Sequence, residues 1–276
     1  MINSILIAVG ILGLTGLLLS SALLIVSKKF SVEENPLIDL LANALPGANC
    51  GACGQAGCRN FAEIIVNNPE ANLYCPVGGA KLNKTISEIL GIEIKEVKPM
   101  TAILRCAGTI DKSAKMLDIY EGIADCRAAM TMYLGDKVCP YGCLGLGSCI
   151  KACKFGAISK DNGIVKIDED LCVACGACLA ACPKGIIMLY PKGEKVYVAC
   201  SNNDLGGQVR TACKAGCIGC KKCERTCKFD AVKVTNFCAV IDWTKCTRCG
   251  ECVTACPVGC ILTALVKNDS TLIPVS

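Results

Sequence analysis

The chain is 276 residues long, with 26 cysteines, no histidine and a formal net charge of +5. The missing histidine excludes histidine general bases, Cys-His nucleophile pairs, Ser-His-Asp triads, haem with a histidine axial ligand and every zinc site that mixes histidine with cysteine, so whatever the chain binds it binds with sulfur. Hydrophobic content of 53% is too high for a disordered chain, aromatic content of 4% leaves few large side chains for an ordinary core, and the small positive charge implies no nucleic acid while leaving room for an acidic protein partner.

From Ile5 to Val26 there are 22 residues without a charge, and a helix of that length covers about 33 Å, enough for the hydrocarbon core of a bilayer. We read residues 1–28 as a transmembrane anchor. A cleaved signal peptide and a buried core helix are the competing readings. The first expects a basic region before the apolar run, whereas Lys28 and Lys29 follow it. The positive-inside rule keeps that basic end in the cytoplasm, so the chain from Phe30 onward is expected on the cytoplasmic side of a single-pass cell-membrane protein. In that reducing compartment dense cysteine points to metal rather than to disulfides.

Residues 29–98 form the next expected unit, a small four-cysteine [4Fe-4S] domain. Cys50, Cys53, Cys58 and Cys75 are spaced C-x2-C-x4-C-x16-C, with Gly47, Gly51, Gly54 and Gly57 around the first three. Glycine lets a loop wrap closely round an inorganic cluster and aim backbone N–H groups at its sulfides. Phe61, Ile64 and Ile65 lie at helical spacing after Gly57, and Asn67-Asn68-Pro69 ends that helix.

The remainder is duplicated. A gapless shift of 74 residues lays 141–158 over 215–232 and 171–186 over 245–260. We therefore divide it into two ferredoxin-like modules, 99–192 and 193–276. Each copy has two cysteine runs, and the second has the bacterial ferredoxin spacing C-x2-C-x2-C-x3-C-P: Cys172, Cys175, Cys178, Cys182, then Cys246, Cys249, Cys252, Cys256. Three close cysteines cap three corners of a [4Fe-4S] cube and the fourth ligates the other cluster of the pair. In the later copy Cys217, Cys220 and Cys223 thus join Cys256, and Cys246, Cys249 and Cys252 join Cys227. In the earlier copy Cys172, Cys175 and Cys178 join Cys153. Leu146 stands where the repeat puts Cys220, so Cys143, Cys149 and Cys182 lack a fourth ligand. Cys139 is the nearest replacement and Cys126 the other candidate. Lys154 and Lys228 stand where ferredoxins usually have proline, a turn residue and no ligand. GIVKID (163–168) and AVIDW (239–243) alternate as short strands. The expected fold is α+β: anchor, four-cysteine domain, and two tandem bacterial 2[4Fe-4S] ferredoxin-like modules.

Five clusters use 20 cysteines and leave Cys106, Cys126, Cys200, Cys213, Cys238 and Cys260. Cys238 and Cys260 read as small buried hydrophobes. The shift places Cys126 on Cys200 and Cys139 on Cys213, and RCAGT around Cys106 is similar to ACSNN around Cys200. Cys106, Cys126, Cys200 and Cys213 read either as inherited core packing or as a possible sixth cluster, with a redox-sensing thiol pair as a further alternative.

Anchor, NCGACGQAGCRNFAE with its distant CPVGG, and a ferredoxin array together resemble the B subunits of Rnf complexes, membrane-bound ferredoxin:NAD+ oxidoreductases that translocate Na+ or H+. The resemblance covers the whole chain. It implies a subunit that takes electrons from reduced ferredoxin and relays them toward membrane iron–sulfur subunits, with NAD+ reduction on a separate flavoprotein subunit. The residues agree: with no GxGxxG fingerprint, no P-loop and no histidine base, the chain has nothing with which to transform a substrate, and no catalytic residue is assigned. Lys214, Lys221, Lys222, Arg225 and Lys228 gather near one cluster, offset by Glu224 and Asp230, either as a solvated face or as a docking patch for acidic ferredoxin. Two other functions compete: electron delivery in an Rnf-like system that reduces a redox-sensing regulator, and an all-cysteine zinc-binding structural protein. Zinc ribbons place two C-x2-C pairs far apart, whereas these runs crowd sulfur as a cube requires.

Overall fold

The computed structural model describes residues 2–29, 35–71, 73–92, 98–116, 120–132, 135–193 and 196–263. Helix α1 (Ile2–Lys29) ends on the two lysines and is the one described helix long and apolar enough to cross a membrane, with none of its apolar stretch buried in the protein. The hydroxyls of Thr15, Ser20 and Ser21 donate back to the carbonyls of Ile11, Gly16 and Leu17, so these side chains leave no unsatisfied donor on the exposed apolar helix.

Three short helices follow: α2 (Pro36–Ala44), α3 (Cys58–Asn67) and α4 (Gly79–Leu90). Asn35 caps α2 by accepting from the Leu37 N–H at 3.0 Å, and Pro36 supplies the first helical φ. Each helix repeats apolar residues every third or fourth position, so Ile38 and Leu41, Phe61 and Ile65, and Leu82 and Ile86 meet in one buried core with Cys75. The helix expected from Cys58 to Val66 is present and ends one residue later, at Asn67.

The duplicated part is built from paired hairpins. Strand β1 (Met100–Leu104) is followed by α5 (Cys126–Met132), α6 (Ser148–Ala152), β2 (Ile158–Asp161), β3 (Ile164–Ile167), α7 (Ala177–Ala181) and β4 (Ile187–Pro191). Antiparallel β2 and β3 form a hairpin, and β1 pairs antiparallel with β4. The second copy has β5 (Val196–Val198), α8 (Gly206–Ala212), α9 (Lys222–Thr226), β6 (Val232–Thr235), β7 (Cys238–Ile241), α10 (Glu251–Thr254) and β8 (Ile261–Thr263), with β6–β7 and β5–β8 paired in the same nested way. Elements α6, β2 and β3 map onto α9, β6 and β7 with the 74-residue shift, residue for residue. Asn162-Gly163 and Asn236-Phe237 close the two hairpins, all four residues at positive φ.

The copies are stitched together by main chain. Ala107 N–H donates to Ala199 O at 2.9 Å, Ala114 N–H to Ala212 O at 2.9 Å, and Lys214 N–H to Lys112 O at 2.8 Å. Cysteine recurs throughout both cores, which are otherwise made of small aliphatic residues.

Candidate metal centres

The cysteines converge in sets of four. In the N-terminal unit, Cys50 and Cys53 on the loop before α3, Cys58 at its first position and Cys75 line a recess of about 340 Å³, counting space open to solvent. Asn49, at φ 43°, accepts the Cys58 N–H on its Oδ1 at 2.8 Å and so ties the loop to the helix start. Burial pushes the Cys75 thiol up, and the N–H groups of Gly78 and Val77 oppose it.

In the second copy the cross-over between runs is visible in the cavities. Cys217, Cys220, Cys223 and Cys256 line one, with Cys260 beside them, and Cys227, Cys246, Cys249 and Cys252 line another, each about 310 Å³. In the first copy burial pushes the Cys178 thiol up to about 11, and Cys172, Cys175 and Cys153 lie near enough to add to that rise. Ala102 N–H donates to the Cys172 sulfur at 3.3 Å.

Cys126, rather than Cys139, the nearest replacement in sequence, lies with the incomplete set. Cys126, Cys143, Cys149 and Cys182 line one recess of about 360 Å³. The Cys149 thiol is raised to about 12 by burial, then by Cys143, Cys126 and Cys182. Ser148 Oγ accepts the Cys126 N–H at 2.7 Å and donates to Asp125 at 2.9 Å, fixing the start of α5 beside α6.

Cys139 lies instead with Cys106, Cys200 and Cys213 around a recess of about 360 Å³. The set Cys106, Cys126, Cys200 and Cys213 is therefore not brought together; Cys139 takes the place of Cys126. The physical reason is an insertion. Thirty-three positions separate Cys106 from Cys139, against thirteen between Cys200 and Cys213. A gapless shift carried across those extra residues lays Cys126 on Cys200 by coincidence. The structural partner of Cys200 is Cys106, each two residues beyond its strand, β5 or β1. The likeness of RCAGT to ACSNN was the available signal.

This last set takes two sulfurs from each copy. The Cys143 N–H donates to Cys106 Sγ at 3.4 Å and the Cys217 N–H donates to Cys200 Sγ at 3.2 Å. Asn202, 1% exposed, donates its amide to Cys139 Sγ at 3.4 Å, a contact that sequence reading missed. Lys137, also missed, lines the same recess and donates to the carbonyls of Gly108, Cys143 and Gly163.

Cys238 and Cys260 are buried, as expected of small hydrophobes; Cys238 Sγ also donates to Cys200 O at 3.4 Å, and Cys260 Sγ shares a hydrogen bond with Cys256 Sγ at 3.6 Å. Cys238 keeps its proton against Cys200 and Cys217, both of which it pulls down; Cys260 keeps its proton against Cys217 and Cys256, and Cys256 falls to about 5.

Twenty-four cysteines thus fall into six sets of four. Among the described residues no three cysteine, aspartate or glutamate side chains converge closely enough to hold a single metal ion. A tetrahedral Zn2+ needs four sulfurs about 2.3 Å from one point. A cubic cluster needs sulfurs spread round a cavity, with backbone N–H donors pointing at them, and this donor set fits it.

Family models agree in part of the chain. The Fe-S cluster model matches residues 45–77, and two 4Fe-4S binding domain models match residues 165–188 and 239–262, and residues 217–231. The chain is 44% identical, over 98% of its length and 81% of the relative's, to the B subunit of the Na(+)-translocating ferredoxin:NAD(+) oxidoreductase complex of Acetobacterium woodii. It is 44% identical to the B subunit of the ion-translocating oxidoreductase complex of Methanosarcina acetivorans, covering 93% of this chain and 96% of that one. With the B subunit of the proton-translocating ferredoxin:NAD(+) oxidoreductase complex of Clostridium ljungdahlii the identity is 41%, over 97% and 95%.

Proposed function

The chain belongs to the family of B subunits of ion-translocating, Rnf-type ferredoxin:NAD+ oxidoreductase complexes, and on that premise we propose that it carries electrons from reduced ferredoxin through six [4Fe-4S] clusters toward membrane subunits, while the whole complex translocates Na+ or H+ and reduces NAD+. The observation that carries this reading is the convergence of 24 cysteines into six four-sulfur sets. Bound there, each cluster would accept and give up one electron at a time.

The cysteines do the holding. Cys50, Cys53, Cys58 and Cys75 hold the cluster nearest the anchor. Two tandem ferredoxin-like modules hold four more, on Cys126, Cys143, Cys149 and Cys182; Cys153, Cys172, Cys175 and Cys178; Cys217, Cys220, Cys223 and Cys256; and Cys227, Cys246, Cys249 and Cys252. Cys106, Cys139, Cys200 and Cys213 hold the sixth, between the modules. Through the N–H···S contacts of Cys143 with Cys106 and of Cys217 with Cys200, the proposed ligands of neighbouring sites touch, so electrons cross between copies over short distances.

Lys28 and Lys29 at the end of α1 favour a cytoplasmic soluble part. Lys214, Lys221, Lys222 and Arg225 are exposed at the far copy, and they suit the acidic surface of a ferredoxin. Lys228 pairs with Glu251 at 3.1 Å and Asp230 pairs with Lys233, so both drop out of that patch.

The test is reduction of the anaerobically purified chain by reduced ferredoxin, followed by bleaching of its visible absorbance. Stoichiometric bleaching supports the proposal. A chain bleached by a strong chemical reductant but not by ferredoxin overturns it.

A further inference from the structure

Lys137 holds a positive charge between two of the proposed clusters. Its Nζ donates to Gly108 O at 2.7 Å, Gly163 O at 2.8 Å and Cys143 O at 3.0 Å. These acceptors come from three separate segments: the turn after Cys106, the closing turn of the β2–β3 hairpin, and a residue of the Cys126, Cys143, Cys149 and Cys182 set. All three ammonium protons are therefore spent on carbonyls. Among the described residues no carboxylate pairs with this lysine, although a half-buried charge ordinarily has a partner. The same side chain lines the recess of Cys106, Cys139, Cys200 and Cys213.

The duplication makes the position informative. Lys137 stands two residues before Cys139, and the residue two before the corresponding Cys213 is Thr211, which is exposed and whose hydroxyl donates to Gln208 O at 2.8 Å. The lysine thus belongs to the first copy alone. Arg105, which lines the same recess, reaches Cys200 O with its guanidinium at 3.1 Å, one carbonyl rather than three.

We infer that Lys137 is a potential-setting residue, the fixed counter-charge for an electron held on the Cys106, Cys139, Cys200 and Cys213 site or on the Cys126, Cys143, Cys149 and Cys182 site. Net charge and hydrogen bonding near the sulfurs set the reduction potential of such clusters, and a nearby cation stabilises the reduced form. One electron arrives from the reduced iron–sulfur donor and leaves for the next acceptor; no bond is made or broken and no proton is moved. The lysine makes arrival of an electron at these two sites more favourable than the duplicated geometry alone would.

This inference rests on the six-cluster reading, and iron and sulfide analysis of the parent chain tests that reading separately. The experiment is an EPR-monitored redox titration of the full-length chain in detergent, comparing the parent with Lys137→Gln and Lys137→Arg at matched iron content. Lys137→Gln keeps hydrogen-bond donors and removes the charge. It should shift the reduced-to-oxidised ratio at least tenfold toward oxidised, about 59 mV for one electron, at the two neighbouring sites and leave the other four unmoved. Lys137→Arg should stay near the parent. Curves for Lys137→Gln that overlay the parent, or equal shifts in both variants, overturn the inference, the second because the lysine would then act through loop geometry and not charge. Should Lys137→Gln lose iron, Lys137→Arg still decides: parent-like potentials support the charge, and lowered potentials with iron intact overturn it.

Discussion

The backbone N–H of Cys217 donates to Cys200 Sγ at 3.2 Å, and thereby joins a residue of one four-sulfur set to a residue of another. Its counterpart in the first copy is the Cys143 N–H on Cys106 Sγ at 3.4 Å. Cys143 and Cys217 are related by the 74-residue duplication, so the junction set is held the same way from both sides. An electron crossing the junction would pass from ligand to N–H to ligand at each edge. On the proposed six-cluster reading the two copies form one conductor, and the junction set is incomplete without cysteines from both.

Placing Cys126 and Cys139 in different sets makes a double-substitution prediction. Each single change to alanine should remove one cluster, about four irons. Cys126→Ala combined with Cys139→Ala should remove about eight, whereas Cys139→Ala combined with Cys213→Ala should remove only about four. Iron counting of the four proteins checks this. A Cys126/Cys139 pair that costs only one cluster would put both residues at a single site.

Gly145 sits at φ +70° where the loop holding Cys143 passes the β2–β3 hairpin, and a Cβ there would lie 2.5 Å from Gly163 O, one of the Lys137 acceptors. Gly145→Ala should cost about 1 to 3 kcal/mol in local strain and speed cluster loss in guanidinium. Gly156, at φ +64° with open space around it, is the control for backbone strain alone. Equal bleaching rates for the two alanine variants would show that the close approach contributes nothing.

Cluster assembly should depend on pH. Cys178 and Cys223 are raised to about 11 and Cys252 to about 12, each chiefly by burial, so in the iron-free fold they carry protons at neutral pH. Iron binds thiolate and displaces those protons, so apparent affinity should rise as pH approaches the raised values. Anaerobic reconstitution at pH 7, 8 and 9 should proceed with increasing initial rates of iron uptake. A flat profile would mean that the thiols are already ionised.

Lys221, Lys222 and Arg225 flank the start and end of α9 and are exposed. Replacing all three with glutamate should slow reduction by ferredoxin strongly at low salt and little at high salt, with iron content unchanged, because such steering is screened over about 8 to 10 Å at physiological ionic strength. Stopped-flow reduction across a salt series reads this out. Mutant and parent rates that agree at low salt would place ferredoxin elsewhere, near Cys172 to Cys182.

Much of this was legible because cysteine spacing is a strong local signal. The C-x2-C-x2-C-x3-C runs and the 74-residue shift anticipated where α6, β2 and β3 recur as α9, β6 and β7. The helix from Cys58 was readable from Phe61, Ile64 and Ile65. What misled was distance along the chain. Cys139 is four residues from Cys143 and Cys126 is seventeen away, yet α5 brings Cys126 to α6 through Ser148, while Cys139 turns toward Asn202. Those contacts are tertiary and leave no periodic trace. Lys137 and Asn202 carry no motif at all; only the carbonyls and the sulfur they touch reveal them.

The central claim is that six sets of cysteines each hold a [4Fe-4S] cluster, and iron together with acid-labile sulfide in the fully loaded, anaerobically purified chain tests it most directly. The account predicts about 24 iron and about 24 sulfide per chain. About 20 or fewer of each in protein that takes up no more, or zinc in place of iron, would contradict it.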